Sequence, residues 1–328
     1  MQTLSREKSF LEFLPVSLFG GIMGLCGLTF SWRLAEKAWH INTFCSEVIG
    51  MLALSCFIAL SIAYILKIMK YPSLVFSELK HPVQACFFAT MIVSLLLIPG
   101  VLFLYLPVIS KILWLVGAIL IFFFAIFILR KWLDNQQTLQ SAVPVWILPV
   151  VGTLDVPIVG LHLGIPEAKE ICTMFFGIGL IFSIILMVIV LSRLLFQAQL
   201  SKDIQPTLLI LTAPFALAYT CYIQIQGKGD LASATMFYFN LFLFLILSGK
   251  ILLLPKTCPF KVSWWSVSFP LTAVTVTCFN YASTSVFFLH RLISIILLAI
   301  TTLIIIYLFI QTVYRIITGT FIANPSKN

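Results

Sequence analysis

An all-α polytopic membrane protein is the fold class this chain predicts, and three observations predict it. Of its 328 residues, 61% are hydrophobic and only 9% are charged, against roughly 25% charged in soluble domains. Mean hydropathy is +1.11. The apolar runs are about 20 residues long, the length of a spanning helix, and not the ~10-residue alternating segments of an outer-membrane barrel. The net charge of +9 is thinly spread, with no basic cluster between aromatics. It reads as topogenic charge and not as a nucleic-acid surface. The eight cysteines lie mostly inside spans, without C-x-x-C or Cys/His ligand spacing, so no metal or cofactor is expected. The first apolar run is long and Gly-rich and reads as a retained span, not a signal peptide.

Windows of about 20 apolar residues place ten helices, at 11–33, 41–67, 83–105, 108–130, 143–163, 168–193, 205–226, 230–253, 264–284 and 286–314. Connections are short, so consecutive helices are antiparallel neighbours, and residues 1–328 form a single integral membrane domain. Of the 20 Lys and Arg, fourteen fall on the side holding the N-terminus, the loops after even spans and the C-terminus: Arg6, Lys8, Lys67, Lys70, Lys80, Arg130, Lys131, Arg193, Lys202, Lys250, Lys256, Lys261, Arg315 and Lys327. The other six are Arg33, Lys37, Lys111, Lys169, Lys228 and Arg291. That bias predicts an even number of spans, both termini cytoplasmic and a place in the inner (plasma) membrane.

Taken in order, the spans alternate in character. The first, LPVSLFGGIMGLCGLTFSW, carries Pro15 and four glycines, whereas the second is smooth and greasy. The third begins at Pro82 and contains Pro99; the fourth reads LVGAILIFFFAIFIL. The fifth, WILPVVGTLDVPIVG, follows Pro144 and holds Pro149, Gly152, Pro157 and one acid, Asp155. Smooth sixth, eighth and tenth spans alternate with a seventh that carries Pro206 and Pro214 and a ninth that carries Pro270. No even span has an internal proline in these windows.

A proline frees a backbone carbonyl and bends the axis. Within a membrane that is tolerated where protein or a wet cavity satisfies the freed group, and small residues let helices approach closely. The alternation therefore predicts five helical hairpins, with an inner ring of five kinked helices around a central pore and an outer ring of five facing lipid. Aspartate rings, a carbonyl filter, an Arg-rich sensor helix and a P-loop are all missing from the inner spans. Histidines 40, 81, 162 and 290 sit near span ends, and no H-E-x-x-H or G-x-S-x-G occurs, so no enzyme is expected. The inner walls instead offer small side chains, rings and hydroxyls, among them Thr153 and Thr272. A neutral wall of that kind admits small anions without holding them tightly, and a bulky ring on the axis can close it.

These stretches resemble the tellurite-resistance/dicarboxylate transporter family, which includes the slow-type anion channels of plant guard cells. WWSVSFPLTAVTV resembles that family's ninth span and LPVSLFGGIMGLCGLTFSW its first. KHPVQACFF is similar to the start of the third, WILPVVGTLDVPIVG to the fifth and QPTLLILTAPFALAY to the seventh. The resemblance covers essentially the whole chain. It implies a ten-helix subunit, a homotrimer with one pore per subunit, and a phenylalanine plugging each pore from the ninth span, which falls here on Phe269. It places Phe19 as a second ring on the axis, next to Gly20, and matches Pro149, Gly152, Pro214 and Pro270 to kinked positions. Two transport functions follow as expectations: an anion channel, or a proton-coupled carrier of C4-dicarboxylates or of oxyanions such as tellurite or sulfite.

Asp155 lies outside that motif set. A carboxylate mid-span costs several kcal/mol unless paired, hydrated or protonated. Three outcomes are open for it. It is neutral in the low-dielectric layer, or it turns away from the pore to pair on a neighbouring helix, or it couples protons to transport. His81 reads as an ordinary helix-start residue, and Glu47, Lys111 and Arg291 as side chains snorkelling from span ends.

Overall fold

The computed structural model describes residues 10–319, and the regular structure among them is entirely helical. Arg6, Lys8, Lys327 and the two chain ends, which enter the orientation argument, lie outside the described residues. Nine helices among the described residues are long and apolar enough to span a membrane. With the shorter segment at Pro144–Gly160 they are labelled α1 (Val16–Trp39), α2 (Phe44–Lys70), α3 (Gln84–Leu102), α4 (Pro107–Asp134), α5 (Pro144–Gly160), α6 (Ala168–Phe196), α7 (Lys202–Gln226), α8 (Leu231–Lys256), α9 (Val262–Thr284) and α10 (Phe288–Ile317).

Each odd helix opens with a 3₁₀ turn: Val16–Leu18, Gln84–Phe87, Pro144–Ile147, Lys202–Thr212 and Val262–Val267. No even helix does so. Prolines 15, 82, 144 and 206 sit in or just before four of these tightened turns. At the start of α3, His81 caps the turn, its Nδ1 accepting from the backbone N–H groups of Val83 and Gln84 at 3.2 Å each. The helix-start reading of His81 is what the structure displays.

Segment α5 departs furthest from a smooth span. It runs as a 3₁₀ turn, a short α-turn, a second 3₁₀ turn at Gly152–Leu154 and a final α-segment from Asp155 to Gly160. Pro149 and Pro157 each remove one N–H from the helical ladder. Neighbouring helices supply donors to the interrupted backbone: the Cys221 thiol of α7 donates to Leu154 O at 3.1 Å and the Trp114 indole of α4 donates to Val156 O at 3.0 Å. Irregular backbone at membrane depth is viable where protein satisfies it in this way.

One expectation about prolines needs correction. Helix α8 runs past residue 253 and takes in Pro255. Because Pro255 lies in the last turn, any bend there moves only the helix tip.

Burial separates the two sets. In the most apolar window of each helix, α1, α3, α7 and α9 are 72, 78, 67 and 78% buried, whereas α2, α4, α6, α8 and α10 are 17, 33, 33, 29 and 33% buried. Helix α1 packs on α3, α3 on α5, α5 on α7, α7 on α9, and α9 back on α1. Each even helix packs on the odd helix before it and also touches the next one round. Large apolar side chains such as Phe123 and Leu303 project outward from the even helices, as lipid contact requires.

Two charges near helix ends, Lys67 and Arg33, are engaged rather than idle. Lys67, expected as a topogenic loop charge, is fully buried. Its ammonium pairs with Glu78 at 2.5 Å and donates to Leu14 O at 2.7 Å. Arg33 of α1 donates to Gly100 O and Val101 O at the end of α3, where a cation meets the negative end of a helix.

Candidate functional site

Two cavities lie along the packed odd helices. The upper, of about 40 Å³, is lined by residues from all five: Ser17, Gly20, Phe87, Gly152, Ile210 and Trp265 are representative. The lower, of about 20 Å³, again draws on all five, through Gly27, Leu97, Ile158, Thr220 and Val276. Each is room for a water or a few. Lining residues of the upper cavity come from the N-terminal halves of the odd helices and those of the lower from their C-terminal halves, so the five run parallel. Their N-terminal ends, each carrying partial positive charge, share the upper side.

Asp155, Leu217 and Phe269 line both cavities and make the waist between them. The local sequence explains the ring's position. Phe269 precedes Pro270, which also lines the upper cavity, and follows the 3₁₀ turn that opens α9. Leu217 went unnoticed in the sequence. Its only local signal is its place three residues after Pro214, in a helix with no polar face to mark direction.

The other expected residues divide. Gly20, Gly152 and Pro270 line the upper cavity, and Thr272 lines the lower. Phe19 does not line either: it is fully buried, and its ring packs edge-on against Phe57 and Tyr64 of α2 at 6.4 and 6.1 Å. Expectation put this ring on the axis; one helical step from Gly20 turns it outward instead. Thr153 is likewise absent from both linings. It sits beside Gly179 of α6 and donates to Val150 O at 2.7 Å. Pro149 and Pro214 are buried but line neither cavity; their part is in the backbone course of α5 and α7.

Three of the five lining hydroxyls, those of Thr90, Thr220 and Thr272, give their protons to backbone carbonyls. Thr272 donates to Phe269 O at 2.8 Å, Thr220 to Ala216 O at 3.0 Å and Thr90 to Phe87 O at 2.6 Å. Ser17 and Ser266, which line the upper cavity, make no side-chain hydrogen bond among the described residues.

Asp155 is 1% exposed, and its Oδ1 has no hydrogen-bond partner among the described residues. The outcome in which it turns away from the axis to pair on a neighbouring helix is therefore not the one adopted. Among the described residues no cluster of His, Cys, Asp and Glu could hold a metal ion.

The chain is similar to known proteins along most of its length. Residues 14–313 match the profile of the SLAC1 family, described as voltage-dependent anion channels. The S-type anion channel SLAH2 of Arabidopsis thaliana is 27% identical over 305 residues, covering 90% of this chain and 57% of the plant protein. The guard cell S-type anion channel SLAC1 of the same plant is 27% identical over 314 residues, covering 92% and 56%. This chain thus spans about half the length of these plant relatives. The tellurite resistance protein TehA homolog of Haemophilus influenzae is 25% identical over 331 residues, covering 98% of this chain and 96% of that protein. With its spanning helices and a match along nearly its whole length, the chain is a multi-pass membrane protein belonging to the SLAC1 family of voltage-dependent anion channels.

Proposed function

We propose that this protein is a channel that passes small inorganic or organic anions through a central pore, closed at its waist by Phe269. In this reading α1, α3, α5, α7 and α9 form an inner ring and α2, α4, α6, α8 and α10 an outer one, as five hairpins. The observation that carries it is the shared lining: all five odd helices contribute to both cavities, and Phe269 stands between the two. A bulky apolar ring at a narrow dry point blocks by occlusion and by excluding water. Replacing it with a small side chain joins the cavities. Phe269→Ala is expected to raise anion conductance at least about tenfold in oocytes or planar bilayers. A folded variant with unchanged conductance overturns the gate.

The molecule sits in the cell's inner (plasma) membrane with its ends cytoplasmic, an orientation supported by the Lys/Arg bias. It assembles as a homotrimer, each subunit with its own pore. Mass measurement of the protein in detergent tests the assembly, and a monomer as the sole species excludes it.

A second reading has one observation in its favour, the unpartnered carboxyl of Asp155 at the waist. There the protein is a proton-coupled carrier of C4-dicarboxylates or of oxyanions such as tellurite or sulfite. The two readings separate by reversal potential. Channel current reverses at the anion's equilibrium potential whatever the pH gradient, and carrier current shifts with that gradient.

A further inference from the structure

We infer that Asp155 sets whether the waist admits anions, passing them when its carboxyl is protonated and repelling them when it is ionised. The inference rests on the channel reading above and adds a control that the gate ring cannot supply.

Four observations carry it. Asp155 borders both cavities, at the same level as Phe269. It is the one titratable side chain among the residues lining either cavity. It is buried and its Oδ1 is unpartnered, so no neighbour compensates a charge placed there. Finally, the lining hydroxyls of Thr90, Thr220 and Thr272 have given their protons to backbone carbonyls, and Thr272 and Thr220 present only acceptor oxygens to the lower cavity beyond those bonds.

The helices around α5 bring nothing that would mask the carboxyl. From α7 comes the Cys221 thiol, already donating to Leu154 O, and behind it Cys172 of α6. Helices α1, α3 and α9 contribute Gly27, Phe30, Leu97, Phe269 and Thr272. Helix α4 contributes the Trp114 indole, bonded to Val156 O. Segment α5 holds no other titratable group, and no other charged side chain lines either cavity.

The consequence is a switch of sign at one point. A neutral carboxyl offers a passing anion an O–H donor where the wall has few. An ionised one places a fixed negative charge in a dry constriction, where like charges repel far more strongly than in water. The proton arrives from water in either cavity and stays on the carboxyl while anions pass. Conductance therefore rises as pH falls, and no proton travels with the anion.

The test is a pH series of anion current for the wild type, Asp155→Asn, Asp155→Glu and each of these on the Phe269→Ala background. Asparagine keeps the shape, so a fold defect is avoided, and expression of each variant at the membrane is measured alongside. The expected result is an increase of at least about tenfold from alkaline to acid pH in the wild type. Asp155→Asn is expected to hold the high level throughout, and Asp155→Glu to keep the pH dependence. Reversal potential stays at the anion's value under a pH gradient. Phe269→Ala current that ignores pH, or a pH profile that survives Asp155→Asn, overturns the inference while leaving the channel reading intact. Reversal potential that follows the pH gradient overturns it in favour of coupled transport. No anion current in any variant, Phe269→Ala included, overturns the channel reading and this inference together.

Discussion

Trp114 of α4 is fully buried, with its indole nitrogen bonded to Val156 O, and it owes its seat to a missing side chain. A methyl group added at Gly160 would lie 2.6 Å from Cε2 of that indole. Neither partner can yield cheaply, since Trp114 holds the interrupted backbone of α5 and α5 places Asp155. Gly160→Ala is therefore expected to lower stability by about 1–3 kcal/mol, the usual cost of overfilling a packed site. The readout is a lower melting temperature in detergent, and an unchanged melting temperature would show that α4 and α5 slide apart freely. At this scale the sequence was a partial guide. Phe269 stood out because it precedes a proline inside a recognisable stretch, and the structure sets it between the two cavities. Phe19 was misplaced because α1 is apolar on every side, and such a helix has no polar face from which to read direction.

Among elements, the junction of α1, α2 and the short helix Pro72–Lys80 concentrates the most electrostatic consequence. Lys67 on α2 reaches Glu78 on the short helix and Leu14 O just ahead of α1. The Tyr64 hydroxyl donates to the same carboxylate at 3.0 Å, and the Tyr64 ring packs against Phe19 and Phe88. One ion pair thus ties the starts of α1 and α3 to the end of α2. Removing one partner strands a buried charge, which costs more than removing both. Glu78→Gln is expected to destabilise the protein by about 3 kcal/mol, and the pair Lys67→Met with Glu78→Gln by less. Chemical denaturation in mild detergent measures both, and a double variant weaker than the single contradicts this account. The alternation of kinked and smooth spans could be read in advance, because prolines and glycines advertise themselves. The burial of Lys67 could not, because a lysine at a helix end reads the same whether it meets lipid headgroups or a carboxylate brought in by a later helix. The 3₁₀ starts of the odd helices were equally invisible, since a 3₁₀ turn differs from an α-turn by a one-residue shift of hydrogen bonding and leaves little pattern.

For the whole molecule, the parallel course of the five odd helices and the poverty of free donors act in opposite directions on an anion. The N-terminal ends on the upper side favour negative charge at the mouth. Past Ser17 and Ser266, the lining hydroxyls of Thr90, Thr220 and Thr272 have already given their protons to backbone carbonyls. An anion must then shed water at the waist with little in return. The barrier should follow the energy of dehydration, which is smaller for large, diffuse anions than for small, compact ones. In the Phe269→Ala background, where current is large enough to measure, permeability is expected to fall in the order iodide, bromide, chloride. Bi-ionic reversal potentials give the ratios directly. The opposite order would require a strong donor site in the pathway. Ser17 and Ser266, the lining hydroxyls without partners, are then the residues to replace with alanine, because a site built on them would lose its preference for the compact ion while a dehydration barrier would keep its order.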